Sequence, residues 1–240
     1  MKFVCAGSSS SGNAYALQDE DSNTLFIEAG RHFKEIEVQL NYKIDYAHAW
    51  LVASHEHGDH CKFIEEYAKR GIECFSTRNT AGKYPNVGYM KYTKVLGKFI
   101  VRPLPVEHDV PDLGFLITHP EFGNMFFATD CYSIPYELKN VKNWLIECNY
   151  SDDILTKAWL DNSINKAQRD RLMLSHFSEQ NCMNYLDTCH AETSNCIILI
   201  HTSRRHLDPI ETKERFEAHF GVPTYIAKKG LTLELNDKGL

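Results

Sequence analysis

The sequence has no long apolar run. Its two longest, around Ala49–Ala53 and Cys196–Ile200, fall far short of the roughly 20 residues that cross a bilayer, so a membrane-spanning helix is excluded and no membrane partner is expected. It also lacks a secretory signal, because Met1–Gly7 runs straight into a polar serine cluster; the expected location is the cytoplasm. In that reducing compartment the eight cysteines are expected as thiols, and the absence of any CxxC pair argues against a zinc ribbon. No repeat, low-complexity tract or Pro/Gly-rich linker divides the chain, which predicts one domain over residues 1–240. Positive charge is in short supply as well. Lys and Arg number 26 against 32 Asp and Glu, for a net charge of −6, which counts against a surface coated in nucleic-acid-binding charge and leaves local basic patches open. With 240 residues, 43% of them hydrophobic, the chain can bury its own core without staples. What it has in quantity is histidine, twelve in all.

Short β-rich runs open the chain at Lys2–Ala6, Ala14–Gln18 and Thr24–Glu28, separated by turn-forming clusters. Helical spacing over Phe33–Leu40, a buried strand over Ala47–Ser54 and a helix over Asp59–Arg70 follow. Further strands are predicted at Phe99–Leu104, Gly114–His119, Met125–Ala128, Trp144–Glu147 and Cys196–His201, with helices at Ile154–Leu160 and Glu179–Ala191. Asp208 reads as an N-cap, with Pro209 at the first helical position. Blocks of strands alternating with helices suit an α/β sandwich whose sheets are flanked by helices.

Ser54-His55-Glu56-His57-Gly58-Asp59-His60 is the most informative stretch. Three imidazoles and two carboxylates fall within six residues, directly after a buried strand. These are ligand types expected of zinc, manganese or iron(II), and a turn at Gly58 would let alternate residues aim at two neighbouring ions. A solvated polar loop or one structural zinc site is the plainer alternative.

The pattern His55-x-His57-x-Asp59-His60 resembles the signature of the metallo-β-lactamase fold, a superfamily of mostly dinuclear hydrolases with an αββα sandwich. The resemblance implies later ligands in a fixed order, and His108, Asp130 and His201 stand in that order. By resemblance, His55, His57 and His108 hold one divalent ion, Asp59, His60 and His201 hold the other, and Asp130 bridges them. The metals implied are zinc or manganese, with iron also compatible. Two ions with two aspartates and a bridging hydroxide carry roughly +1, a charge that makes water nucleophilic and attracts phosphate.

A narrower resemblance, over roughly residues 1–205, is to the YycJ/VicX-like nucleases, with tRNase Z sharing a related layout. It rests on Ser10-Ser11-Gly12-Asn13, Val106–Asp109, Ala128-Thr129-Asp130, Ile146-Glu147-Cys148-Asn149 and Ser175-His176-Phe177-Ser178. In those branches a histidine paired with a glutamate faces the leaving oxygen, and His176 and Glu147 match the positions. An imidazolium held by a carboxylate can protonate a leaving alkoxide; a helix-terminal residue with local hydrogen bonds is the alternative for His176. Ser11, Gly12 and Asn13 could present N–H groups to phosphate or simply form a turn. Arg204 and Arg205 follow His201 and could contact phosphate, and Thr202-Ser203-Arg204-Arg205 is similar to the tRNase Z pattern at this point. Three departures stand out: Glu28 where the superfamily usually has Asp, Tyr150 in place of a histidine, and no asparagine pair after His201.

The expected function is a dinuclear metal phosphodiesterase, with catalytic roles for Asp59, His176 and Glu147, acting on DNA or RNA. Lys91, Lys94, Lys98 and Arg102, interleaved with Tyr92 and Phe99, form a candidate basic, aromatic face or a solvated hairpin. A second reading keeps the chemistry on a cyclic nucleotide or other small phosphodiester or ester; a third is a metal-binding interaction protein without catalysis. Oligomeric state is not legible. His32, His48, His119, His190, His206 and His219 are expected to be structural or surface residues.

Overall fold

In β1 (Lys2–Gly7), Phe3 and Cys5 face one side and Val4 and Ala6 the other, and all four are buried. β2 (Ala14–Gln18) and β3 (Thr24–Ile27) continue this two-sided pattern in antiparallel register, with Phe3 opposite Leu17 and Tyr15 opposite Ile27. A sheet apolar on both faces has to be covered on both. In the computed structural model, which describes residues 1–236, helices cover one face. They are α1 (Phe33–Gln39) and, beyond β4 (Ala49–Val52), α2 (Gly58–Cys61) and α3 (Ile64–Ala68). Phe33, Ile36, Ile64 and Tyr67 cluster there with Val4, Ala6, Phe26 and Leu51. β5 (Glu73–Ser76), α4 (Arg78–Lys83) and β6 (Val87–Tyr89) end the N-terminal half.

The second half builds another sheet from β7 (Lys94–Leu96), β8 (Phe99–Val106), β9 (Asp112–His119), β10 (Gly123–Ala128) and β11 (Asn143–Glu147). After α5 (Asp152–Leu160), α6 (Lys166–Ser175) and α7 (Glu179–Thr188) come β12 (Cys196–Ile200), α8 (Pro209–Phe220) and β13 (Thr224–Ile226). β14 (Thr232–Glu234) returns to pair with β1. The strand orders are β14-β1-β2-β3-β4-β5-β6 and β13-β12-β11-β10-β9-β8-β7. Inward-facing Phe3, Tyr15, Ile27, Phe99, Phe115, Phe127 and Ile198 fill the space between the sheets, while Tyr185, Leu186, Phe216 and Phe220 pack α7 and α8 onto the outer face of the second. The architecture is the expected αββα sandwich.

Each sheet is antiparallel on one flank and parallel on the other: β3 to β6 run parallel, as do β10 to β13. Three of the parallel strands end in a residue with left-handed backbone: Glu28 (φ 68°) after β3, Asp130 (φ 46°) near the end of β10, and His201 (φ 50°) after β12. Left-handed φ is uncommon outside glycine and costs energy that the surrounding structure must cover. All three side chains enter one cluster.

Several elements differ from expectation. The helix expected over Asp59–Arg70 is two short helices, broken where the Phe63 N–H leaves the helical ladder to donate to Ala29 O at 2.9 Å. The N-cap at Asp208 is as read, its carboxylate accepting from the N–H groups of Ile210 and Glu211. Helix α6 was not predicted; it is polar nearly all round and is started by a capping box between Asn165 and Gln168. The short elements β5, β6, β7, α4, β13 and β14 also carry too little periodicity to read.

Candidate metal centre

The buried strand β4 delivers Ala53, Ser54 and His55 to the rim of the sandwich, and the loop after it turns into α2 at Gly58. Gly30, after β3, packs directly under this loop: a Cβ there would lie 1.7 Å from Asp59 O. The close approach is held by backbone hydrogen bonds from Ala29 N to His60 O (2.7 Å), Gly30 N to Asn13 O (2.8 Å) and Asn13 N to Asp59 O (2.8 Å). Asn13 is fully buried, its amide oxygen accepting from Ser9 N at 3.0 Å and its Nδ2 lying 3.3 Å from His60 Nε2. Its side chain therefore supports the histidine loop from below, whereas Ser9, Ser10 and Ser11 line the open cleft. Gly12 adopts φ +136° with Gly30 O 2.3 Å from its would-be Cβ, so the serine turn needs a glycine there.

The seven residues singled out as metal ligands come together as two groups. His55, His57, His108 and Asp130 bring ligand atoms within 4.8 Å of one another, and so do Asp59, His60, Asp130 and His201. Asp130 belongs to both. In the first group His57 Nδ1 and His108 Nε2 face each other at 3.4 Å, and His55 Nε2 is buried with no hydrogen-bond partner. In the second, His201 Nε2 is buried without a hydrogen-bond partner, 3.7 Å from Asp59 Oδ2, and His60 Nε2 lies 3.4 Å from Asp59 Oδ2 and 3.3 Å from Asp130 Oδ2. Buried imidazole nitrogens left unpartnered beside carboxylates are costly unless something binds them. The donor set, imidazole and carboxylate only, fits divalent zinc, manganese or iron.

His55 and His60 have polar groups behind them. His55 Nδ1 lies 2.8 Å from Ser54 Oγ and 3.4 Å from Asp112 Oδ1, and His60 Nδ1 is 3.4 Å from Glu28 Oε2. Glu28 Oε1 also accepts from Ser54 N at 3.0 Å, so the longer carboxylate in place of Asp still braces the loop. Carboxylates behind ligating histidines fix the tautomer and raise ligand basicity. Burial drives His55 down to about 3, with the neighbouring His60 charge adding to the effect. Burial likewise raises Asp112 to about 8. His60 and His201 go the other way: burial opposes their charging most, but the carboxylates around them, Asp130 foremost with Asp59 and with Glu28 or Glu147, together outweigh it and both pKa values stand well above the ordinary range. The pocket thus concentrates negative charge around Asp130 and calls for cations.

Glu147, at the end of β11, is fully buried and saturated. Its Oε2 accepts the N–H groups of Cys131 and Phe177, each at 3.2 Å, and its Oε1 lies 2.8 Å from both His176 Nδ1 and His201 Nδ1. Burial alone would favour the neutral acid, but the His176 charge and hydrogen bond hold Glu147 below its ordinary pKa, and Glu147 in turn raises His176 against burial. His176 Nδ1 is 3.9 Å from Asp130 Oδ1, which puts the pair at the edge of the second group. The side chain is 18% exposed and lines a cleft of about 480 Å³ with Ser9–Ser11, Asn149, His201, Arg204 and Arg205.

The basic residues of the β7–β8 hairpin are not part of this arrangement. β8 carries its Val106 end toward His108, so Phe99 at the other end is about 23 Å away at roughly 3.3 Å per residue. Lys98 pairs with Asp21, Lys94 Nζ sits 4.1 Å from the Phe75 ring centre, and Phe99 is fully buried rather than exposed. Conversely, Ser54, Asp112 and Asn149 stand behind the centre and were not singled out. Asn149 Nδ2 donates to His201 O at 2.7 Å, fixing the left-handed turn. Tyr150, in the position of the missing histidine, is buried, and its carbonyl caps α7 by accepting from Glu179 N.

No protein-family model and no curated protein sequence matches the chain. Solved structures match along its whole length. The metallo-β-lactamase fold protein YhfI from Bacillus subtilis is 16% identical, over 97% of this chain and 98% of that one, with a TM-score of 0.73. A diphosphatase of the PhnP family is 14% identical over 98% of both chains at a TM-score of 0.67. The short form of human tRNase Z is 13% identical over 98% and 99% at 0.63. The sandwich is accordingly a metallo-β-lactamase fold.

Proposed function

We propose that the chain is a dinuclear metal-dependent phosphodiesterase and that its substrate is a nucleic acid. The observation that carries this reading is the sharing of Asp130 by two four-residue ligand groups, with the His176–Glu147 pair alongside. His55, His57 and His108 would hold one divalent ion, Asp59, His60 and His201 the other, and Asp130 would bridge them. Bound there, the ions would supply Lewis acidity toward a phosphoryl oxygen and lower the pKa of water enough for attack near neutral pH. The chain's own residues supply the rest. Ser54, Asp112 and Glu28 keep the imidazoles aimed. Glu147 holds His176 as an imidazolium, and with Nδ1 committed to Glu147 the Nε2–H is the proton available to a leaving alkoxide. Arg204, Arg205 and the Ser9–Ser11 turn line the same cleft and would orient the phosphate. The similarity to a tRNase Z and to a diphosphatase fits phosphoester chemistry, as does the resemblance of the Ala128-Thr129-Asp130 and Ser175-His176-Phe177-Ser178 segments to the YycJ/VicX-like nucleases.

A small phosphodiester remains the second reading, favoured by the modest cleft and by the position of the basic hairpin far from it. One experiment separates them: metal analysis of purified protein with hydrolysis assays on single-stranded DNA, duplex DNA, RNA, cyclic nucleotides and bis(p-nitrophenyl) phosphate. Turnover of a polymer, weakening steeply with salt, supports the nuclease. Turnover confined to small substrates supports the second reading, and no hydrolysis with two equivalents of metal bound refutes both.

A further inference from the structure

The cleft that holds His176 does not end at the metal centre. Arg205 and His206 line it and also line a second cavity of about 320 Å³, whose other walls are Lys157, Asp161 and Ile164 from α5 and the α5–α6 turn. The two cavities therefore adjoin at Arg205 and His206. Lys157, Arg204 and Arg205 make no ion pair among the described residues, whereas Arg31, Lys83, Lys213 and Arg215 are each neutralised by a glutamate. His206 sits where the cavities join, its Nδ1 buried without a hydrogen-bond partner. One carboxylate, Asp161, opposes this positive lining.

We infer that they form a trough, from His176 past Arg205 and His206 to Lys157 and Ile164, that carries the leaving-group strand of a single-stranded nucleic acid. The inference deepens the phosphodiesterase reading and rests on it for the direction of the strand. Depth decides for a single strand. His201 is 2% exposed and His176 18%, in a cleft whose walls include the Ser9–Ser11 turn and Leu172 of α6. A scissile phosphate has to descend between these walls, which a flexible strand can do and a duplex, stiff over some 150 base pairs, cannot without distortion. Because His176 faces the leaving oxygen, the nucleotides beyond that oxygen enter the trough, where unpaired cations can replace counterions along the backbone.

The test is fluorescence-anisotropy titration of a labelled 12-nucleotide single-stranded DNA and RNA across a salt series, with bis(p-nitrophenyl) phosphate hydrolysis run in parallel on the same metal-loaded protein. Lys157→Ala should weaken binding several-fold and lower the slope of log K against log salt by about 0.7, the value for one lost phosphate contact on a single strand. Asp161→Asn should tighten binding, and Lys94→Ala on the remote hairpin should change neither. Hydrolysis of the small substrate should be unaffected by all three, since none touches the metal centre. Unaltered affinity and slope in Lys157→Ala and Asp161→Asn, or a duplex binding as tightly as the single strand, overturns the trough assignment while leaving the phosphodiesterase reading intact. Absence of small-substrate hydrolysis in the parent protein counts against the chemistry instead, and the titrations still decide whether a strand lies in the trough.

Discussion

Replacing Gly30 by alanine tests the idea that the histidine loop is held in place by close backbone packing. The added Cβ would stand 1.7 Å from Asp59 O and 2.7 Å from Asn13 N. To reach even 3.0 Å the Asp59 carbonyl has to retreat by about 1.3 Å, and it cannot do so while Asn13 N and the neighbouring Ala29 N–His60 O bond hold the loop. Overpacking of this kind costs about 1–3 kcal/mol, and two weakened backbone bonds add about 1 kcal/mol each. The sum, about 3–5 kcal/mol, corresponds to roughly 6–20 °C in melting temperature at this chain length. The displaced residues are Asp59 and His60, so metal stoichiometry should fall from two equivalents toward one. Gly58, in the same loop, provides the control: a Cβ there meets nothing within 4 Å, and at the start of α2 alanine should leave the melting temperature unchanged or raise it slightly. Scanning calorimetry and elemental analysis of both variants measure the effects. A Gly30→Ala protein that melts within about 2 °C of the parent and keeps both equivalents would refute the packing argument.

Other consequences can be measured on the same protein. His176→Ala should lower kcat by about 10²–10⁴-fold with both metals retained; unchanged turnover of a poor-leaving-group phosphodiester removes the proton-donor role. Chelation should lower the melting temperature by roughly 11–22 °C if two ions are each present at a hundred times their Kd, about 2.7 kcal/mol per site and about 5.4 kcal/mol together, and added zinc or manganese should restore it; a chelated protein that melts like the untreated one argues against a metal centre. Asp112→Asn keeps the shape behind His55 but removes the carboxylate 3.4 Å from its Nδ1, so affinity at the first site should fall about 10–100-fold by competitive titration with a chromophoric chelator above pH 8, where Asp112 carries its charge. Equal affinity would make Asp112 a packing residue only.

The candidate ligands were legible because they are concentrated: His55, His57, Asp59 and His60 lie in one loop, and His108, Asp130 and His201 each stand at or near a strand end. A sandwich of sheets flanked by helices was legible from the blocks of strands alternating with helices, and its αββα form from the resemblance carried by His55–His60. What supports the ligands was not. Asp112, Ser54 and Asn149 are single polar residues on separate turns, and nothing local marks a carboxylate that will end up behind a histidine. Asn13 reads equally as a phosphate contact or a turn residue beside Gly12, whereas its burial and its bonds to the histidine loop make it a brace. Phe99 was read with a basic face, but its strand alternates and it points into the core. Helix α6 escaped because it has no apolar stripe; its capping box was the one available signal.

The pairing of β14 with β1 bears on how the molecule is made. Lys2 lies opposite Glu234, so β1 waits through the synthesis of about 230 further residues before its outer edge is closed. At about 5–20 residues per second that wait lasts roughly 10–50 s, during which β1 is an open template for pairing with other chains. The candidate ligand set, drawn from residues 55 to 201, contributes no strand that pairs with this edge. The yield of native protein should therefore depend on translation rate and on chaperones that shield a strand edge.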